Sequence, residues 1–198
     1  PTAAINATLA GVIKGCLDSE KIETVYGMKN GIEGFMKEAF IALDERFACE
    51  KDLELLCLTP ASALGSCRLK LKEEKQFAGI FEILEKNRIK YFFYIGGNDS
   101  MDTVNKLSKY LTEIGSDIKV IGIPKTIDND LMITDHTPGF GSAAKYVATT
   151  VQEIVRDCSV YSINSITIIE IMGRDISVVS SNPAAESEFI RSIVSAEN

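Results

Sequence analysis

The densest group of reactive side chains is Lys125-Thr126-Ile127-Asp128-Asn129-Asp130, which follows Pro124. In an extended segment, alternation aims Thr126, Asp128 and Asp130 the same way. Two carboxylates beside a hydroxyl and a lysine suit phosphoryl transfer. One carboxylate accepts the proton of an attacking alcohol, the other helps hold Mg²⁺, and the lysine neutralises phosphate charge. The competing reading is a solvated turn with Asp caps. A second group is Gly96-Gly97-Asn98-Asp99-Ser100. Two glycines let backbone N–H groups approach a ligand closely, and Asp99 or Ser100 is a candidate cap for a following helix. A third is Met172-Gly173-Arg174-Asp175, whose arginine offers a planar fork for phosphate oxygens. A fourth, weaker by itself, is Gly65-Ser66-Cys67-Arg68, a small-residue loop with one cation.

These groups need elements that bring them together. Residues 90–95 form a continuous apolar run ending at Gly96, and residues 119–123 form another ending at Pro124. Residues 165–172 form a third, ending at Gly173. Helical spacing is expected over 2–17, 32–43, 71–87, 100–114, 139–161 and 184–196. A short strand is expected over 23–27, and mostly loop over 44–68. Buried strands alternating with helices indicate an α/β fold, a parallel sheet with helices on both faces. Ligands in such sheets bind beyond the carboxyl ends of the strands, which places the chemistry-bearing groups along one edge. The whole of 1–198 reads as a single α/β domain that binds the phosphoryl donor.

The chain has 198 residues, 45% of them hydrophobic, enough for a substantial core. A net charge of -7 argues against non-specific nucleic-acid binding, which needs a basic surface. Local cations and backbone N–H groups still serve anionic phosphates. Five cysteines, none in a CxxC pair, and the single His136 argue against a zinc site. They read as reduced, mostly buried thiols, which suits a cytoplasmic protein. No apolar run has the length of a membrane span, so no membrane association is expected. His136 reads as structural.

GSCR, GGNDS, PKTIDND and MGRD, with TPGFGSAAKY between the last two, resemble the phosphofructokinase family in kind and order. The opening PTAAINATLAGVI is similar to the stretch after that family's first glycine loop. The lysine before TIDND, and Asp99 where ATP-using members have glycine, resemble the diphosphate-dependent branch. The resemblance implies a Rossmann-type first lobe, with the preceding strand and the second lobe missing and with an uncertain register over 176–198. It implies phosphoryl transfer from diphosphate to the 1-hydroxyl of fructose 6-phosphate, with Mg²⁺, in glycolysis.

By the same resemblance Asp128 is the general base, and Arg174 and Lys125 are catalytic. Thr126, Asp128, Asp130, Met172, Gly173 and Arg174 meet the sugar phosphate. Arg68, Gly96, Gly97, Asp99, Ser100 and Lys125 meet the donor, Asp99 filling space that the α-phosphate of ATP would need. Asp130 and Asn98 are the metal candidates, and Asn98 replaces the carboxylate usual at its position. Ser165 stands where many ATP-using members carry an arginine that reaches a neighbouring subunit. A homo-oligomer is implied. Two alternatives stand beside this reading: an ATP-dependent 6-phosphofructokinase, and a non-catalytic regulatory or degenerate phosphofructokinase-like subunit.

Overall fold

Two apolar runs form the central ladder. In the computed structural model, which describes residues 3–71, 73–160, 162, 167–169 and 171, they are paired in parallel. The strands, Tyr91–Gly96 and Lys119–Pro124, are numbered β3 and β4 in chain order. Their register runs from Tyr91 opposite Lys119 to Gly96 opposite Pro124. Successive side chains on a strand point to opposite faces. Phe92 packs into a core with Ile80 and Leu84 of helix α5 (Glu74–Lys86) and Leu107 and Leu111 of helix α6 (Asn98–Glu113). Ile95, on the other face, packs beside Leu9, Ala10 and Ile13 of helix α1 (Ala3–Leu17). Helices therefore cover both faces of a parallel pair, which is the α/β arrangement the pattern predicts.

The chain divides into two compact units, residues 1–125 and 126–198. The first carries the ladder, α1, α5 and α6. It also holds a small antiparallel pair, β1 (Tyr26–Met28) with β2 (Phe40–Ala42). Helix α2 (Gly31–Met36) connects the two. The expected helix over 32–43 is thus cut short. Glu38 turns left-handed at φ 53°, the Ala39 N–H donates to the Gly34 carbonyl, and the chain re-enters as a strand. The apolar spacing of Phe35, Met36 and Phe40 belongs to a helix packed on a hairpin, not to one long helix.

Residues 44–68, expected to be loop, contain α3 (Leu43–Arg46) and α4 (Glu50–Leu58). Helix α4 buries only Leu56 and exposes Leu55 and Leu58, so its periodicity is weak. The second unit contains the 126–139 loop and helix α7 (Phe140–Cys158). The third strand and last helix expected from the sequence lie outside the described residues, apart from 167–169 and 171, which carry no regular structure. None of the five cysteines is fully buried, and Cys49 and Cys57 are exposed, against the expectation of buried thiols. None of the helices among the described residues is long and apolar enough to cross a membrane.

Helix α5 anchors this core. It opens with a capping box in which Glu73 and Gln76 exchange hydrogen bonds with each other's backbone. At its far end Lys86 reaches Glu38 at 2.8 Å, tying α5 to the α2–β2 turn. That hydrogen bond holds the Glu38 carboxyl below its usual range. A depressed carboxyl contributes stability above its unfolded pKa and loses it as pH falls through the folded value. Leu84→Ala is expected to lower unfolding free energy by about 2–5 kcal/mol, the range for a fully buried leucine, in urea titration. Lys86→Met is expected to shift the midpoint far less at neutral pH, and the difference from wild type should fade in acid as Glu38 protonates. A Lys86→Met effect that persists unchanged well below the carboxylate range would show that the pair is not its source.

Candidate active site

The β3–β4 register ends with Gly96 opposite Pro124, and the Lys125 N–H donates to the Gly96 carbonyl at 2.8 Å. The ladder therefore extends one residue past the strands and sets Gly97 beside Lys125. Gly97 is the N-cap of α6, and its carbonyl accepts the N–H groups of Ser100 and Met101. No side chain caps this helix, so Asp99 and Ser100 do not have the capping role expected of them. Ser100 instead folds back over Gly96. A Cβ at Gly96 would overlap the Ser100 Oγ and Cβ, so only glycine fits. The Ser100 hydroxyl also shares a hydrogen bond with the Tyr94 phenol. Burial, more than this bond, governs Tyr94 and pushes its pKa up to about 12.

Asp99 is freed from capping and points outward to Lys70, with Nζ and Oδ2 2.9 Å apart. Both side chains are mostly exposed. This pair draws the segment that follows Gly65-Ser66-Cys67-Arg68 to the Gly97–Ser100 turn. Arg68 lies two residues before Lys70 and is exposed. Lys70 was not signalled by the sequence: a second cation near Arg68 has no distinguishing mark until its partner is seen.

The second unit holds Thr126, Asp128 and Asp130. The segment is not extended, because Asn129 is left-handed at φ 53°. Alternation therefore does not aim the three side chains together, contrary to the sequence expectation. Hydrogen bonds define the loop instead. The Asp128 N–H donates to the Thr126 Oγ1 at 2.9 Å, a local turn that hydroxyl residues favour. Asn129 takes both roles of its amide: its Nδ2 donates to the Asp135 carbonyl, and its Oδ1 accepts the Thr137 N–H. The buried Thr137 hydroxyl donates to the Thr126 carbonyl at 2.7 Å. Asparagine tolerates a left-handed backbone and carries both a donor and an acceptor, which explains its place beside Asp128. Nothing in the sequence marks this part played by Asn129.

Asp128 and Asp130 are half-buried, and Asn98, the first residue of α6, is exposed. Among the described residues no group of three or more His, Cys, Asp or Glu side chains stands ready for a metal ion. An apolar cleft of about 810 Å³ lies between α1 and β3, lined in part by Ile5, Leu9, Ile13, Phe93 and Ile95. Among the described residues, none of those assigned to the chemistry lines it. Met172, Gly173 and Arg174 lie outside the described residues.

A family profile described as Phosphofructokinase matches residues 1–188. The chain belongs to the phosphofructokinase family. A pyrophosphate–fructose 6-phosphate 1-phosphotransferase of Halomonas elongata is 41% identical over 180 residues, covering 87% of this chain and 42% of that protein. The crystal structure of a pyrophosphate-dependent phosphofructokinase from Marinobacter aquaeolei superposes with a TM-score of 0.78 at 39% identity. It covers 90% of this chain and 45% of that one. An ATP-dependent 6-phosphofructokinase of Spiroplasma citri is 32% identical over 170 residues, covering 85% of this chain and 47% of that protein. The chain thus spans less than half the length of these phosphofructokinase relatives.

The close fit of Ser100 on Gly96 gives a direct test of this corner. Gly96→Ala is expected to cost about 1–3 kcal/mol, as overpacking does. Combining it with Ser100→Gly should recover most of that loss in a double-mutant cycle measured by urea unfolding. Additive losses would show that Ser100 does not occupy the space above Gly96. Alkaline absorbance titration should find one phenol, lost in Tyr94→Phe, that ionises near pH 12.

Proposed function

We propose that the protein of which this chain forms part transfers a phosphoryl group from diphosphate to the 1-hydroxyl of fructose 6-phosphate. The observation that carries the reading is the convergence at the carboxyl end of β3 and β4. Lys125 is hydrogen-bonded to Gly96, and Asp99 is paired with Lys70 in the segment that carries Arg68. Glycine backbone at the strand end, with Lys125 beside it and the segment of Arg68 and Lys70 drawn to the same turn, suits a compact polyanion. Membership of the phosphofructokinase family, and greater identity to a diphosphate-using relative than to an ATP-using one, support the same donor.

In this mechanism Lys125 and Arg68 hold the donor oxygens and neutralise charge as the phosphoryl group transfers. Asp128 accepts the proton of the attacking hydroxyl, and the hydrogen-bonded loop around Asn129 fixes the backbone from which it acts. Arg174, with Met172 and Gly173, meets the sugar phosphate, and Thr126 and Asp130 line the same side. A bound Mg²⁺ would neutralise phosphate charge, a chemistry that needs only one or two protein carboxylates. The half-buried Asp130 suits that part better than the exposed amide Asn98. Asp99 selects the donor by standing where a longer nucleotide chain would pass. The Lys70 pair screens its charge, so occupied space discriminates more than repulsion does. The same reading places the protein in the cytoplasm as a homo-oligomer.

In the full-length protein, Asp128→Asn is expected to reduce turnover by at least roughly a thousandfold with the fold intact by circular dichroism. Wild-type-like turnover would sink the general-base assignment. Asp99→Gly combined with Lys125→Gly is expected to shift preference from diphosphate towards ATP in a paired-donor assay. A double variant that still ignores ATP would refute this account of donor choice.

A further inference from the structure

Helix α1 contains a polar residue where its pattern calls for an apolar one. Leu9, Ala10 and Ile13 form its buried stripe, and Asn6 continues that stripe at the preceding turn. Its relative exposure is 0%, the same as that of Ile13. The amide is nonetheless satisfied. Its Nδ2 donates to the carbonyls of Thr59 (2.7 Å) and Ala61 (3.1 Å), and its Oδ1 accepts the Ala63 N–H (2.8 Å). An asparagine amide has two N–H donors and a carbonyl acceptor, so both donors and the acceptor are engaged. All three partners are backbone groups of one irregular segment more than 50 positions away.

That segment runs from the end of α4 into Gly65-Ser66-Cys67-Arg68. It carries its own strain and constraints. Ala61 is left-handed at φ 61°, and Gly65 at φ 76°. Residues 62–65 form a turn closed by the Gly65 N–H on the Ser62 carbonyl and by the Ser62 hydroxyl on the Gly65 carbonyl. A Cβ at Gly65 would run into the Asn30 side chain, so glycine meets both the angle and the space. The Asn30 N–H donates to the Leu64 carbonyl at 2.7 Å. Arg68 is exposed and is therefore placed by its backbone rather than by packing. Upstream that backbone is held by Asn6 and Asn30, and downstream by the Lys70–Asp99 pair.

We propose that Asn6 is a positioning residue for the phosphoryl-donor site, acting through the 59–63 backbone to set the course of the loop that carries Arg68. The proposal rests on the donor-site reading of Arg68 given above. It assigns Asn6 no contact with substrate. An apolar residue at position 6 would leave two carbonyls and one N–H, now in part-buried bonds, without their partners. The segment would have to turn them to water, and the path to Arg68 would change with it.

The test uses the full-length protein, with diphosphate and fructose 6-phosphate varied separately. Asn6→Asp keeps the acceptor and loses both donors; Asn6→Ala loses all three bonds. Each is expected to raise the KM for diphosphate roughly tenfold or more while the KM for fructose 6-phosphate stays within about twofold. Hydrogen exchange at the amides of 61–68 should accelerate in both. A folded Asn6 variant with unchanged diphosphate KM, or with both KM values raised in parallel, overturns the proposal. Should both variants fail to fold, Ala63→Pro supplies the same test with Asn6 in place. Ala63 is the first central residue of the 62–65 turn, where proline is favoured, and the change replaces the N–H that the Asn6 Oδ1 accepts with a ring carbon set against that oxygen, breaking the contact from the loop side. It should give the same split between the two KM values, and equal or absent changes overturn the proposal. Arg68→Ala separates the two layers of the argument. If its diphosphate KM is unchanged, the donor-site reading fails and takes the route through Arg68 with it. If its KM rises while that of folded Asn6→Asp does not, the positioning role alone fails.

Discussion

The parallel register of β3 and β4 is the constraint on which the rest of the first unit depends. Because Gly96 lies opposite Pro124, both strands stop at the same level, and the Lys125 N–H adds one more rung. A slip of one residue would reverse the face of every β4 side chain. It would also part Lys125 from Gly97. The register is secured at some distance from the chemistry, by Phe92 and its neighbours from α5 and α6 on one face and by Ile95 with α1 on the other. The apolar core thus has a direct functional consequence. It fixes where two chain reversals occur, and the chain reversals carry the polar groups.

Irregular segments need a different device, because a loop has no ladder to satisfy its peptide groups. In both units asparagine amides supply it. Asn129 bridges the Asp135 carbonyl and the Thr137 N–H within the loop that contains Asp128. Asn6 bridges three backbone groups of the segment leading to Arg68. Each amide substitutes for the missing peptide partner, and the left-handed backbone at Asn129 costs least with such a side chain. Substituting alanine would remove partners that no neighbouring helix or strand could replace.

This difference explains what the sequence discloses. The ladder strands, α5, α6 and α7 are legible because a continuous apolar run or a strong 3.6-residue period marks them. The α/β class and the parallel pairing followed from those elements alone. A short strand overlapping β1 was legible, but β2 and its pairing were hidden because Phe35, Met36 and Phe40 mimic one helical stripe across a break at Glu38. Helix α4 was hidden because Leu56 alone is buried, too little to set a period. At the site, residue types were legible and their arrangement was not. Asp99 and Ser100 have the chemistry of caps, yet Gly97 caps α6, Ser100 turns to Tyr94 and Asp99 turns to Lys70. Lys70 and Asn6 leave no mark in the sequence, since their significance lies in partners distant along the chain.

The exposure of the charged groups at this corner sets a limit on what they do in water. An exposed pair such as Lys70 and Asp99 contributes at most about 1 kcal/mol, because solvent screens it and ordering two side chains offsets much of the gain. That is enough to bias where a carboxylate stands and too little to discriminate strongly between two polyanions. The same charges act several times more strongly once water leaves. On the proposed donor role, charge selectivity develops as bound ligand displaces solvent, whereas steric selectivity is present from the start. On that proposal the backbone path, held by asparagine amides and the ladder, does more of the selecting before ligand binds than the charged groups whose residue types first draw attention.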